Sequence, residues 1–119
     1  MTAFTNLNDE DAFPPWMHLP DHGNRSPYYY SPSGTPKRHW CLLGEIQSFD
    51  PFIRYRTIIK DADDSRMVVA FYLDNYDAFD FSSKLKEGHT LAIMYAQQHT
   101  FLDGTFGVRV EEVDHFRVS

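Results

Sequence analysis

The chain has 119 residues, enough for one domain and too few for two. Its formal net charge of -6 argues against a protein that coats DNA through non-specific phosphate contacts, which normally carries the opposite balance. A single cysteine, Cys41, excludes an internal disulfide or a cysteine-based zinc site within one chain. No apolar run approaches the roughly 20 residues of a membrane helix, and the first residues lack the basic and apolar regions of a secretory signal. These features predict a soluble intracellular protein, nuclear or cytoplasmic. With 42% hydrophobic and 16% aromatic residues, a packed core is within reach.

Residues 1–39 hold six of the seven prolines and read as an irregular, poorly structured N-terminal arm. Phe13-Pro14-Pro15-Trp16-Met17 and Tyr28-Tyr29-Tyr30 are nevertheless too aromatic for a purely solvating tail. Two uses fit them: covering an open edge or end of a sheet, or docking to a partner through proline-flanked rings. Lys37-Arg38-His39 is too short a basic cluster to act as a nuclear import signal.

From Trp40 the pattern alternates with period two. Trp40, Leu42, Gly44 and Ile46 share one face of a first strand running to Phe49, and Gly44 suggests a bulge or tight bend. Asp50-Pro51 breaks the run. Ile53 to Lys60 and Arg66 to Leu73 form a hairpin closed by the acidic turn Asp61–Ser65, which reads as solvated. Asp77 to Glu87 has the capping and stop residues of a helix, ended by Gly88. Thr90 to Ala96 is a fourth strand, Gln97 to Phe106 a loop around Asp103-Gly104, and Gly107 to Val113 a fifth strand that His115–Val118 extend. The order predicts an all-β fold, a five-stranded Greek-key barrel of the oligonucleotide-binding (OB) type over residues 40–119, with one helix between strands three and four. The chain's end at Ser119, directly after the last strand, fits a complete barrel.

The blocks Trp40-Cys41-Leu42-Leu43-Gly44-Glu45-Ile46, Gly88-His89-Thr90-Leu91-Ala92-Ile93-Met94-Tyr95-Ala96, His99-Thr100-Phe101-Leu102-Asp103-Gly104 and Gly107-Val108-Arg109-Val110-Glu111 carry a resemblance. Over roughly residues 40–119 the chain resembles the N-terminal barrel-like region of a group of basidiomycete fungal proteins, many of which carry a MYND zinc finger further on. The resemblance implies the barrel region alone: a MYND finger needs several cysteines, so its zinc-dependent adaptor role does not carry over. More loosely, the strand order is similar to OB domains of replication protein A and tRNA-binding proteins, which is a likeness of fold and not of function.

An OB barrel that holds a single strand needs cations for phosphates and aromatic faces for bases, usually on strands two and three. Phe52, Arg54 and Arg56 share one parity on strand two, and Arg66 opens strand three. Tyr95, His99 and Phe101 come from the region after strand four, and Arg109 from strand five. The competing reading puts Tyr95 and Phe101 in the core or its rim and leaves the arginines as solvated faces paired with acids. Asp61, Asp63 and Asp64 would repel phosphate, and they lack the glycine and distal glutamate of a calcium loop. His99 and Asp103 would leave a zinc site half built, so neither metal nor cofactor is expected. For catalysis there is no Gly-x-Ser-x-Gly elbow, Cys41 lies within a strand pattern, and Glu111 and Glu112 point to opposite faces. The expected function is therefore non-enzymatic binding of single-stranded DNA or RNA. A protein partner or self-association, using the barrel and the aromatic arm, is the alternative; no membrane is involved.

Overall fold

Period-two alternation from Trp40 onward does produce strands. The computed structural model describes residues 9–21, 23, 26–50, 56–73 and 85–118. Within them run β1 (Cys41–Asp50), β2 (Arg56–Lys60), β3 (Arg66–Phe71), β4 (Thr90–Met94), β5 (His99–Thr100), β6 (Phe106–Val110) and β7 (Phe116–Val118). They form one sheet in the order β5-β6-β3-β2-β1-β4-β7, antiparallel except for β3 against β6. No helix among the described residues is long and apolar enough to cross a membrane.

This connectivity is that of an OB fold: a three-stranded meander, a fourth strand returning beside the first, and a last strand parallel to the third. The expected five-stranded barrel needs correction in three respects. Strand four is split, because Tyr95 takes a left-handed φ of 57° and ends β4 at Met94; the chain resumes pairing as the two-residue β5. The last strand is also split, by a 3-10 turn at Val113–His115 that redirects the chain to pair β7 with β4. Finally, among the described residues no ladder joins the edge strands β5 and β7, so the sheet does not close into a barrel. Only four residues separate β4 from β5, however. Met94 and His99 are thus within about 17 Å, and the sheet must curl until its ends are neighbours. Most of the expected helix, residues 77–84, lies outside the described residues; Leu85–Glu87 are not helical, and Leu85 is buried against the core.

Leu42, Ile46, Ile59, Met67, Val69, Phe71, Leu91, Ile93, Val108 and Val110 fill the inner face. Gly44 serves close approach rather than a bulge: a Cβ there would lie 2.6 Å from Ile59 Cδ1. The bulge falls later, where the β1–β2 register shifts between Ile46 and Ser48.

The described part of the arm carries one 3-10 turn, Trp16–His18, and packs on the sheet. Tyr29 and Tyr30 are buried in the core cluster and flank Trp40, at ring-centroid distances of 4.6 and 5.5 Å. The Trp40 indole Nε1–H donates to the Ala96 carbonyl at 2.8 Å. Backbone bonds from Cys41 N–H to the Ala12 carbonyl and from Gln98 N–H to the Pro20 carbonyl, both 2.8 Å, tie the arm to β1 and to the residue before β5. Asp61 is not a solvated turn acid. It is 5% exposed and accepts the backbone N–H groups of Trp16, Asp63 and Ser65 at 2.9–3.0 Å.

Candidate nucleic-acid interface

On β2 and β3 the inner positions are Thr57, Ile59, Met67, Val69 and Phe71, so Arg56, Ile58 and Lys60 on β2 and Arg66, Val68 and Ala70 on β3 face outward. Cross-strand register aligns them into rows, and paired residues project to the same side. Arg56 stands opposite Ala70, and Ala70 opposite Arg109 on β6. Ile58 stands opposite Val68, Val68 opposite Gly107, and Gly107 opposite His99. Lys60 stands opposite Arg66. Four cations therefore share one outer face of an acidic protein, with a short apolar row between them. Ser48, Arg56, Thr57, Ile58 and Val68 line a shallow depression of about 130 Å³ on that face.

Aromatic rings accompany both central arginines. The Arg109 guanidinium lies 4.0 Å from the centroid of Tyr72, and its Nε is 2.6 Å from Glu111 Oε1. The Arg56 guanidinium is 5.8 Å from the centroid of Phe101, whose ring meets His99 edge-on at 4.7 Å. Arg56 also faces Asp103 at 3.8 Å. The Thr105 hydroxyl and backbone N–H both bond Asp103, at 2.6 and 3.0 Å. These bonds, with the nearby Arg56 guanidinium, hold its carboxyl below the ordinary carboxylate range. The loop carrying Phe101 and Asp103 ends in a fully exposed Leu102 and turns at Gly104, where φ is 86°.

Of the sequence-derived candidates, Arg56, His99, Phe101 and Arg109 come together here. Arg66 shares the face but stands four residues along β3 from Ala70, about 13 Å away, beside Lys60. Tyr95 does not join them. It packs on Trp40 and His115, and its hydroxyl bonds His39 Nδ1. Phe52 and Arg54 lie outside the described residues. Lys60, Ile58 and Tyr72 are additions, and parity was the signal that could have found them: Lys60 and Ile58 alternate with Arg56, Tyr72 with Arg66. No group of three or more His, Cys, Asp or Glu side chains among the described residues is placed to hold a metal.

No family model matches the chain, and no curated protein matches it. Solved structures do. A chain of the S. pombe Stn1–Ten1 complex superposes with a TM-score of 0.50 at 17% identity, covering 85% of this chain and 70% of that one. Schizosaccharomyces pombe Pot1pC bound to single-stranded DNA superposes with a TM-score of 0.50 at 9% identity, covering 71% of this chain and 81% of that one. At these identities the likeness is one of fold.

Proposed function

We propose that this chain is a non-enzymatic OB-fold module that binds single-stranded DNA or RNA across the outer face of β2, β3 and β6. The observation that carries the reading is the clustering of Arg56, Lys60, Arg66 and Arg109 on that one face although the chain is net negative. Cations track the phosphates, while Phe101 and Tyr72 offer ring faces to bases at about 1–3 kcal/mol per stacked base. Arg109 and Arg56 would exchange their present carboxylate neighbours for phosphate. Phe52 and Arg54 belong to the site on sequence parity alone. The Pot1pC structure, whose fold is similar, holds single-stranded DNA. The kinship to the barrel region of MYND-associated fungal proteins remains part of this proposal, as does a nuclear or cytoplasmic home, which the free, buried thiol of Cys41 suits.

A protein partner is the second reading. Cys41, Ala92, Met94 and Phe116 contribute apolar surface to a 380 Å³ depression beside the edge strand β7, and one similar fold comes from a complex of two proteins. The arm contributes less to this reading than its composition suggests, because Tyr29 and Tyr30 are committed to the chain's own core.

Fluorescence anisotropy with labelled single strands and duplex at two salt concentrations tests the proposal. Saturable, salt-sensitive binding to single strands is expected. Arg56→Glu combined with Arg109→Glu should abolish it at moderate salt, and replacing both residues by alanine should flatten the salt dependence by about 1.4 in log–log slope, roughly 0.7 per lost phosphate contact. Undiminished affinity in the double glutamate variant would reject this face.

A further inference from the structure

We propose that the groove lined by Trp16 and Phe106, beyond the β5 edge, is a second base-stacking subsite that takes the next nucleobase of a strand bound on the arginine face. This inference rests on the nucleic-acid reading above. The groove has a volume of 490 Å³ and is lined by Trp16, Asp21, Gln98, His99, Thr100 and Phe106. Phe106 opens β6 and is 60% exposed, an unusual state for a phenylalanine in a strand. The Trp16 ring meets it edge-on, with centroids 6.3 Å apart and planes at 63°.

Position relates this groove to the first face. His99 stands opposite Gly107 in the outer row, touches the Phe101 ring, and also lines the groove. Phe106 is one residue before Gly107 and so projects to the other side of the ladder. The edge here is only the two-residue strand β5. A strand lying over Arg56 and Phe101 thus needs to pass only His99 to reach Phe106.

The chemistry of the walls selects a base rather than a phosphate. Among the described residues lining the groove there is a carboxylate, Asp21, and no Lys or Arg. A phosphate would be repelled there. A flat, uncharged ring with hydrogen-bonding edges fits: the aromatic walls supply stacking, and the hydroxyl of Thr100 and the carboxylate of Asp21 supply polar partners. The Gln98 side-chain amide donates to the Trp16 carbonyl at 2.7 Å, which pins the indole-bearing turn to β5 and leaves the Gln98 amide oxygen as an acceptor. The Trp16 indole Nε1–H is itself buried without a hydrogen-bond partner, a donor that a small shift of the ring toward an occupant would satisfy.

The chain provides its own reporter. It has two tryptophans, and Trp40 is fully buried and surrounded by Tyr29, Tyr30 and Tyr95. A base stacking at the groove therefore changes the emission of Trp16 alone. The full-length chain is titrated with oligo-dC of four and twelve nucleotides, following anisotropy of a labelled end and tryptophan emission together. The longer strand is expected to quench emission with the same midpoint as the anisotropy change, and Trp16→Phe is expected to abolish the quench while binding persists. Phe106→Ala should weaken the twelve-nucleotide complex roughly five- to hundredfold, the loss expected of one stacking ring, and leave the four-nucleotide complex unchanged. Single-strand binding with unaltered emission and an unaffected Phe106→Ala variant would overturn the subsite while sparing the arginine face. No anisotropy change with any strand would overturn both.

Discussion

The carboxylate of Asp61 and the backbone N–H of Trp16, 45 residues apart in the chain, meet at 2.9 Å. The acid at the start of the β2–β3 turn is therefore one of the ties that hold the N-terminal arm against the sheet. The same carboxylate accepts the N–H groups of Asp63 and Ser65, so it shapes the turn from within. Asp61→Ala strands three backbone donors at once. A loss of about 2–3 kcal/mol is expected from charge-assisted bonds of this kind, against less than about 0.5 kcal/mol for the exposed Asp63→Ala. Urea unfolding measures the difference, and limited proteolysis should show the arm cut before the sheet in the Asp61 variant. Equal stability of the two variants would show that the arm is held by its aromatic packing and its other backbone bonds without Asp61.

Gly107 sits where β6 runs parallel to β3, and a Cβ on it would lie 1.8 Å from the Val68 carbonyl oxygen. That neighbour is backbone within a ladder and has no room to retreat. Gly107→Ala should therefore cost more than about 3 kcal/mol or prevent folding. Gly104→Ala, in open space but at a left-handed φ of 86°, should cost only about 1–2 kcal/mol. Thermal unfolding followed by circular dichroism ranks the two. The opposite ranking would mean that β3 and β6 are not held at this register in solution.

Local pattern made much of the meander legible. Alternation put Leu42 and Ile46 on one face of the first strand, gave Arg54 and Arg56 one parity on the second, and located the β2–β3 hairpin. What it did not show were features with no local signal. A tyrosine in the left-handed region is not written in its neighbours, so the break at Tyr95 and the separate strand β5 were hidden. The 3-10 turn that frees β7 was hidden for the same reason. Asp61 reads like any turn acid until the arm is folded beside it. The site was half legible: parity on β2 put Arg56 outward, but its alignment with Arg109 depends on a parallel pairing of strands about forty residues apart. Tyr95, which the sequence left open between the site and the core rim, packs on Trp40, an association that only the curled sheet creates.

If single strands bind as proposed, Asp103 is the carboxylate that they would displace from Arg56. Thr105 holds one of its oxygens through both hydroxyl and backbone N–H, so the side chain is fixed in place, and the other oxygen faces the guanidinium at 3.8 Å. Asp103→Asn keeps an acceptor for Thr105 and removes the charge. Affinity for single strands should rise about two- to fivefold, the scale of one exposed ion pair, whereas Asp63→Asn should leave it nearly unchanged. The pH dependence has a definite sign. The Thr105 bonds lower the Asp103 pKa in the folded chain, so its ionised form persists as pH falls through the ordinary carboxylate range. The advantage of the Asn variant should hold through that range and close only below it, when Asp103 finally takes up a proton and releases Arg56. An advantage that vanishes within the ordinary range would mean that the Thr105 bonds do not form in solution. No advantage at neutral pH would remove Asp103 as a competitor for the strand.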